Sequence, residues 1–221
     1  MNKVYIARTE ELEDDTLFGR LYNAASRMRR EKTDKLIFRK DKMLSLAADA
    51  LMRKALSDRG INDFVLEYGK NGKPYIKDKD IYFNLSHSET TVMCAVSDLE
   101  IGCDAERVTD IDLEIAKRFF HSAEYEMLKK EQTDDGKRDM FFRLWTLKES
   151  FVKATGLGMA MPMNSFCIDI NKDKISVLQN VSQEKYYFKE YDFNDGYKYA
   201  VCSLSPQFEE MAEFVSFKGE I

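Results

Sequence analysis

Two carboxylates at the end of an apolar run have residue types and a spacing that could serve a chemical function. Asp104 and Glu106 follow Ile101-Gly102-Cys103, a run with strand composition. Alternate side chains of a strand share a face, so both carboxylates should point the same way. Mg²⁺ usually takes one or two carboxylates together with waters and phosphate oxygens. The pair is compatible with a magnesium site, although an isolated D-x-E is more often a solvated strand end.

A helical segment supplies a third carboxylate and a lysine. Glu149 and Lys153 have the spacing of i,i+4 neighbours, while Phe142 and Trp145 can anchor the apolar side of the helix. An exposed pair of this kind contributes only about 0.3 kcal/mol. Next to Asp104, however, Glu149 would complete a magnesium site and Lys153 would reach a phosphate. The spacing alone leaves both interpretations open.

A polar strand end and a basic segment could bind phosphate. Phe83-Asn-Leu-Ser-His-Ser88 ends in two hydroxyls and an imidazole, and no G-x-S-x-G turn surrounds its serines. Residues 27–42 contain eight Lys or Arg against three acids. Clustered Lys and Arg pair well with phosphate, although a basic helix face is as often merely solvated. Lys73, after the Asn71-Gly72 turn, could join this anion site.

The periodicity of apolar residues predicts an α+β fold that would position these groups. Helices are expected over 10–25, over a longer region ending near Gly60, and over 111–120, 122–130 and 139–155. Strands are expected over 4–7, 64–68 and 81–85, with a further pair at 90–97 and 100–106 joined at Asp98. Four more strands should close the chain. Helix-rich and strand-rich regions thus follow each other twice, which predicts two halves, 1–103 and 104–221.

Composition narrows the class of protein. The chain has 221 residues, 44% of them hydrophobic, and a net charge of -5, so no basic surplus points to nucleic acid. The four cysteines form no C-x-x-C pair and are expected to be buried reduced thiols. No segment reaches the length of a membrane span, and the first residues do not resemble an export signal. We therefore expect a cytoplasmic protein with no membrane or nucleic-acid partner.

Three sequence blocks together resemble the signatures of the phosphopantetheinyl transferases. They are FNLSHS at Phe83–Ser88, IGCDAE at Ile101–Glu106 and WTLKESFVKATGLG at Trp145–Gly158. The order and separations also fit, as do Gly72-Lys73-Pro74 and the segment Lys117-Arg118-Phe119-Phe120 with Glu124-Tyr125. More narrowly, the chain is similar to the surfactin-synthetase-activating type, which is monomeric.

The resemblance implies a fold and a set of ligand contacts. It implies two similar α/β halves related by a pseudo-twofold axis, with coenzyme A in the cleft between them. Magnesium ligands would be Asp104, Glu106 and Glu149, and Lys153 would contact the pyrophosphate. The 3′-phosphate and the nucleotide would be held by Arg29, Lys32, Arg39, Ser45, Lys73, Ser86 and His87.

The resemblance also implies a reaction and a partner. Coenzyme A would donate its 4′-phosphopantetheine arm to a serine of an acyl or peptidyl carrier protein and release 3′,5′-ADP, with Mg²⁺ as cofactor. Glu149, or a water on the magnesium, would take the serine proton, with Lys153 as the second catalytic residue. The carrier would dock on Lys117, Arg118, Phe119 and Phe120, unless the two phenylalanines pack in the core.

Two other interpretations stay open from the sequence. A magnesium-dependent nucleotidyl or phosphoryl transferase could use the same acids, although no Walker-type glycine loop is present. A module that binds coenzyme A without transferring anything would have the same blocks. Only the first hypothesis predicts that an apo carrier protein gains mass.

Overall fold

The computed structural model describes residues 1–171 and 174–219, and its fold is α+β, as predicted. The helices are α1 (Asp15–Ala24), α2 (Arg27–Asp34), α3 (Arg39–Ser57), α4 (Glu114–Phe119), α5 (Ser122–Lys130) and α6 (Asp134–Thr155). The strands are β1 (Lys3–Arg8), β2 (Leu66–Tyr68), β3 (Pro74–Ile76), β4 (Tyr82–Ser88), β5 (Thr91–Ser97), β6 (Ile101–Arg107), β7 (Cys167–Asn171), β8 (Lys174–Leu178), β9 (Tyr187–Tyr191), β10 (Tyr197–Ser203) and β11 (Glu213–Val215).

The strands form two main sheets and two hairpins. The first sheet has the order β11-β1-β5-β4, in which only the β1–β11 pair is parallel. The second sheet is antiparallel and has the order β6-β10-β9. The hairpins are β2–β3 and β7–β8. The C-terminal strand β11 thus returns to the first sheet, which the sequence pattern did not reveal.

The alternation of side chains builds the core in layers. On β5, Val92 and Cys94 face the cluster formed with α1 and α3, whereas Met93 and Ala95 face the second sheet. The second sheet repeats this division, since Ala200 of β10 packs towards α6. Both sheets are therefore covered by a helix on the outer face and by each other on the inner face, which explains why β5 is buried throughout.

Gly102 sets how closely α6 approaches β6. A Cβ added at Gly102 would lie 2.1 Å from the Ser150 carbonyl oxygen and 2.3 Å from the Ala154 nitrogen. Any side chain would therefore collide with the helix backbone. The glycine allows the backbones of β6 and α6 to touch, and this contact brings the residues of the two elements within reach of one another.

Side chains rather than a backbone ladder join the two sheets. Asn84 Oδ1 accepts from the Cys103 N–H at 2.9 Å, and Ser86 Oγ accepts from the Ala105 N–H at 3.3 Å. Further along, Ser88 Oγ accepts from the backbone N–H of residue 107 at 3.2 Å. We call this row of contacts between β4 and β6 the seam. It satisfies the backbone donors on the β4-facing side of β6, which would otherwise lack partners.

The structure corrects several sequence predictions. β5 and β6 were expected to pair, but β5 pairs with β1 and β4, whereas β6 pairs with β10. Between the predicted strands over 64–68 and 81–85, the turn at Asn71-Gly72 leads into a further strand, β3, which the sequence pattern did not indicate. The boundary between residues 103 and 104 lies within β6, and the division of the chain into two halves stays a prediction. Periodicity identifies strands and their faces, but it does not say which strands hydrogen-bond to each other.

Two other predictions can be compared with the structure. All four cysteines are buried free thiols, as expected. Over the described ranges, no helix combines the length and apolar character required to cross a membrane.

Candidate active site

Asp104 lies where the seam meets α6. The residue is only 2% exposed, and its Oδ1 accepts from Ser86 Oγ at 2.8 Å and from Lys153 Nζ at 2.7 Å. Lys153 Nζ also donates to Ser86 Oγ at 3.1 Å. The close approach of α6 at Gly102 places this lysine over the carboxylate. Strand β4, strand β6 and helix α6 therefore each supply one member of a hydrogen-bonded triad.

The second oxygen of Asp104 has no partner. Among residues 1–171 and 174–219, Oδ2 is the single buried side-chain nitrogen or oxygen without a hydrogen bond. Burying an ionised oxygen in this way is costly unless a cation or a donor satisfies it. The orphaned oxygen fits a divalent cation with oxygen ligands, the chemistry that the sequence predicts at this position.

Two more carboxylates lie within electrostatic reach. Burial and the charges of Asp104 and Glu149 together raise the pKa of Glu106 to about 7, although a 2.8 Å bond from Ser88 Oγ and the charge of Lys153 lower it. Burial also raises the pKa of Glu149, and Asp104 adds to this shift. Carboxylates that disfavour each other's ionisation are stabilised when a cation lies between them. The electrostatics of all three acids therefore favour binding of a cation.

The three acids do not form a ready-made metal cage. In the part of the chain that is described, no three His, Cys, Asp or Glu side chains lie close enough to hold a metal ion by themselves. The i,i+4 ion pair between Glu149 and Lys153 is likewise absent from the described ion pairs, because Lys153 turns to Asp104 instead. Burial lowers the pKa of Lys153, but the charge of Asp104, the hydrogen bond to it and the charge of Glu149 act together in the other direction, and the net shift is upward.

A basic cavity of about 460 Å³ lies on the helix-facing side of β4. Four residues predicted to bind the nucleotide line it together: Arg29, Lys32, Ser45 and His87. Burial lowers the pKa of His87, and the positive charge of Lys153 lowers it further, so the imidazole is neutral at pH 7. Because Lys153 influences His87, the cavity and the Asp104 triad are electrostatic neighbours across β4.

Three other residues predicted to bind the nucleotide have different surroundings. Arg39 donates to the Leu12 carbonyl at 3.1 Å and to Asp15 at 2.8 Å, which ties it to the segment around α1. Ser86 points into the seam, on the face of β4 opposite His87. Lys73 bonds to residues at the start of β6 and the end of α6. None of the three lines the basic cavity.

The predicted carrier-docking segment is only partly exposed. Phe120 is 3% exposed and stacks on Phe141 at 5.1 Å, so the prediction that it contacts a partner is wrong. It is an apolar residue at the end of α4 that faces the core. Phe119 is half-buried against Trp145, whereas Lys117 and Arg118 are exposed.

Sequence reasoning missed two residues that shape the site. Gly102 was treated only as part of an apolar run, although a glycine inside a strand signals a close backbone approach. Ser88 was treated as a phosphate donor, whereas it donates to Glu106 and accepts from β6. The alternation of Asn84, Ser86 and Ser88 on one face of β4 was the available signal for the seam.

Comparisons with known proteins show the family to which this chain belongs. A family model described as the 4′-phosphopantetheinyl transferase superfamily matches residues 100–202. The 4′-phosphopantetheinyl transferase Sfp of Bacillus subtilis (strain 168) is 35% identical over 220 residues, which cover 97% of this chain and 96% of that protein. The 4′-phosphopantetheinyl transferase gsp of Aneurinibacillus migulanus is 37% identical over 194 residues, 86% and 81% of the two chains.

A solved structure also matches over part of the chain. It is the holo-[acyl-carrier-protein] synthase (AcpS) of Thermotoga maritima, with a TM-score of 0.41, 16% identity, and coverage of 48% of this chain and 62% of that one. At this score the likeness adds nothing to the assignment, which rests on the family model and the two relatives.

Proposed function

Because this chain belongs to the 4′-phosphopantetheinyl transferase superfamily, whose members transfer phosphopantetheine to carrier proteins, we propose that coenzyme A is its donor substrate. The enzyme would attach the 4′-phosphopantetheine arm of coenzyme A to a serine of an apo carrier protein and release 3′,5′-ADP. Mg²⁺ would be required. The same family membership argues against a module that binds coenzyme A without transfer.

One observation carries this proposal: the orphaned oxygen of Asp104 lies beside Lys153 and across β4 from a basic cavity. Coenzyme A has a nucleotide with a 3′-phosphate at one end and a pyrophosphate in its middle. The cavity residues Arg29, Lys32 and His87 provide a basic and polar wall for the nucleotide end. The Asp104 triad is then the neighbouring group that would receive the pyrophosphate.

The acidic residues would hold the cation. Asp104, with its unsatisfied oxygen, would be the central ligand, and Glu106 and Glu149 would complete the set. Bound there, Mg²⁺ would neutralise charge on the pyrophosphate oxygens and stabilise the leaving phosphate. Substrate oxygens and water usually supply the remaining ligands of this ion, which is consistent with the absence of a complete cage among the described residues.

Lys153 is suited to contact the pyrophosphate. Its ammonium has three N–H donors, of which Asp104 and Ser86 take two. The side chain is 27% exposed, so the third donor can reach a substrate oxygen. Its raised pKa keeps the charge in place at neutral pH. Lys153 would therefore both hold Asp104 in position and stabilise charge on the substrate.

The reaction is a displacement at phosphorus. The serine oxygen of the carrier attacks the β-phosphorus of coenzyme A, and the bond from that phosphorus to the bridging oxygen breaks. The bridging oxygen leaves with the 5′-phosphate of 3′,5′-ADP, and the β-phosphorus stays bound to the carrier as phosphopantetheinyl-serine. Glu149 is the candidate base for the serine proton, since burial has raised its pKa and therefore its proton affinity. Most of the acceleration would come from alignment and charge neutralisation.

We further propose that the two halves predicted from the sequence are the two sheet-and-helix units. In the first, α3 covers the sheet that contains β4; in the second, α6 covers the sheet that contains β6. A pseudo-twofold axis would relate the units, with coenzyme A in the cleft along the seam. The division is best drawn in the loop before β6, with β11 assigned to the first unit.

The carrier would dock on the exposed face of α4. Lys117 and Arg118 are exposed there, beside the partly buried Phe119. Carrier proteins of this kind are generally acidic, so these bases would attract them. The double variant Lys117→Glu/Arg118→Glu should raise the KM for the carrier and leave the KM for coenzyme A unchanged. Equal KM values for the carrier in variant and wild type would exclude this surface.

Mass spectrometry tests the proposed reaction directly. The enzyme is incubated with coenzyme A, Mg²⁺ and a panel of apo carrier proteins, and one carrier should gain the mass of one phosphopantetheine group. Glu149→Gln should slow the transfer by about 10²- to 10⁴-fold. Glu126→Gln is the matched control, because Glu126 is exposed on α5 and bonds only to Lys129 among the described contacts. Full activity of Glu149→Gln would refute the assigned base, and no mass gain on any carrier would refute the function.

A further inference from the structure

Lys73 has no donor left for a ligand. Its Nζ donates to Glu100 Oε2 at 2.6 Å, to the Ile101 carbonyl at 3.0 Å and to the Ala154 carbonyl at 3.2 Å. An ammonium has three N–H donors, so these contacts use all of them. The side chain is only 18% exposed. A phosphate could bind Lys73 only by breaking one of these bonds.

The partners of Lys73 lie on the two elements that build the triad. Ile101 is the first residue of β6, the strand that carries Asp104, and Ala154 follows Lys153 directly on α6. The last carbonyls of a helix have no partner within it, and a positive charge near them is favourable. Lys73 therefore caps the C-terminal turn of α6 and ties it to the start of β6.

A second bond from the same turn reinforces this cap. Asn71 Nδ2 donates to the Gly156 carbonyl at 2.9 Å, just beyond the end of α6. Gly156 has a φ of 67°, the left-handed conformation that ends many helices at a glycine. The turn between β2 and β3 is thus hydrogen-bonded to the end of α6 through two side chains, Asn71 and Lys73.

The other side of the same hairpin forms a wall of the basic cavity. Gly72 lines it from the turn, Pro74 from the start of β3, and Leu66 and Tyr68 from β2. Lys73 stands between the two and points away from the cavity, towards α6. The hairpin is therefore one piece of structure that contacts both the candidate nucleotide site and the helix that carries Glu149 and Lys153.

We propose that Lys73 is a positioning residue for phosphopantetheine transfer and not a ligand of the 3′-phosphate. It holds the β2–β3 hairpin on the end of α6 and so keeps Lys153 and Glu149 in register with Asp104. This inference rests on the proposed function and changes the role that the family resemblance gave to Lys73. Loss of the lysine should damage the chemical step and leave recognition of the nucleotide intact.

A comparison of coenzyme A with 3′-dephospho-coenzyme A separates the two roles. For Lys73→Met, we expect kcat to fall roughly 10- to 100-fold with both donors, because small misplacements of catalytic groups have effects of this size. The KM for coenzyme A and the preference for it over the dephospho compound should stay close to wild type. If Lys73 bound the 3′-phosphate, the variant would instead lose this preference while keeping kcat, and that result would overturn the proposal.

Two lysines serve as matched references. Lys70→Met changes an exposed lysine in the same β2–β3 connection and should behave like wild type. Lys32→Met changes a residue that lines the basic cavity and should reduce the preference for the 3′-phosphate. A Lys73→Met profile that matches Lys32→Met would also overturn the assignment.

Glu100→Gln gives a second test, because the two roles of Lys73 predict changes in different kinetic constants. Glu100 is 42% exposed at its side chain, so the variant should fold even if Lys73→Met does not. Weakening its bond to Lys73 should lower kcat if Lys73 acts as a cap. If Lys73 is instead a phosphate ligand, Glu100 competes with the phosphate for it. The variant should then lower the KM for coenzyme A and leave kcat unchanged. An unchanged kcat in this variant therefore counts against the proposal.

Calorimetric titration with coenzyme A separates failure of this proposal from failure of the proposed function. If wild type transfers nothing to any carrier, the function is refuted, but the affinities still decide the role of Lys73. Lys73→Met, or Glu100→Gln if the former does not fold, should bind coenzyme A as wild type does. A tenfold change in Kd would reject the positioning role, whether or not transfer is observed.

Discussion

Two lysines of helix α6 each meet a carboxylate, and the two sites are built in opposite ways. Lys148 and Glu124 are fully buried, and Lys148 Nζ donates to both Glu124 oxygens at 2.7 Å and to the Phe166 carbonyl at 2.9 Å. Glu124 also accepts from the backbone N–H of His121 at 2.8 Å and of Ile168 at 2.6 Å. Every polar group of that pair has a partner.

The Lys153–Asp104 pair is incomplete by the same measure. Lys153 is partly exposed with a donor to spare, and Asp104 keeps a buried oxygen without a partner. A satisfied buried pair fixes the relative positions of α5, α6 and β7. An unsatisfied one, on the same helix, leaves a position at which a cation can complete the bonding. The difference separates structural from chemical use of the same residue types.

Breaking the satisfied pair should have the largest effect. Lys148→Met leaves the Glu124 carboxylate buried without its charge partner, and we expect a loss of about 3–5 kcal/mol in the free energy of unfolding. Urea denaturation measures it. The double variant Lys148→Met/Glu124→Leu should recover much of the loss, since it removes the buried charge as well. A loss as small as that of the exposed control Lys117→Met would remove the distinction between the two pairs.

Neutralising the incomplete pair should affect activity rather than stability. Asp104→Asn should slow transfer by about 10²-fold or more, because it removes charge next to the reacting phosphates. Its free energy of unfolding should change by less than about 1 kcal/mol, since loss of the ion pair is offset by removal of an unsatisfied charge. Mg²⁺ should raise the Tm of wild type, and EDTA should reverse this, with neither effect in the variant.

The exposed Asp169 of β7 provides the control for this experiment. Asp169→Asn should keep both the activity and the response to Mg²⁺. An Asp104→Asn protein that is stabilised by Mg²⁺ as much as wild type would show that the cation binds elsewhere.

A variant at the contact that brings the incomplete pair together should destabilise the protein less than Lys148→Met does. Gly102→Ala places a Cβ against the α6 backbone, and we expect a loss of about 1–3 kcal/mol in stability. Transfer should slow as well, because α6 must shift relative to Asp104. Gly19→Ala is the matched control: Gly19 lies in α1 with nothing within 4 Å of an added Cβ, so this change should stabilise the protein by up to about 1 kcal/mol. Equal stabilities of the two variants would contradict the close contact.

The sequence predicted those features that depend on the periodicity of side chains within one helix or strand. The core face of α3 and the strands β1, β5 and β6 follow from spacing alone, and Asp104 with Glu106 follows from the alternation on a strand. The α+β class was predicted correctly for the same reason. The family blocks then indicated which polar residues to consider.

Contacts between distant segments could not be derived in this way. That Lys153 pairs with Asp104 rather than with its helical neighbour Glu149 depends on the approach of β6 to α6. The burial of Phe120 depends on Phe141, and the engagement of Lys73 depends on where α6 ends. Each of these outcomes is decided by tertiary packing, which no window of sequence contains.

The seam also protects the folded protein against aggregation through its strand edges. β4 and β6 are both edge strands, and an open edge offers unpaired backbone groups to any other extended chain. Here each edge shields the other through three short polar side chains, Asn84, Ser86 and Ser88. Replacing these residues with larger apolar ones would release two templates for strand addition, so their small size and polarity also serve the solubility of the folded chain.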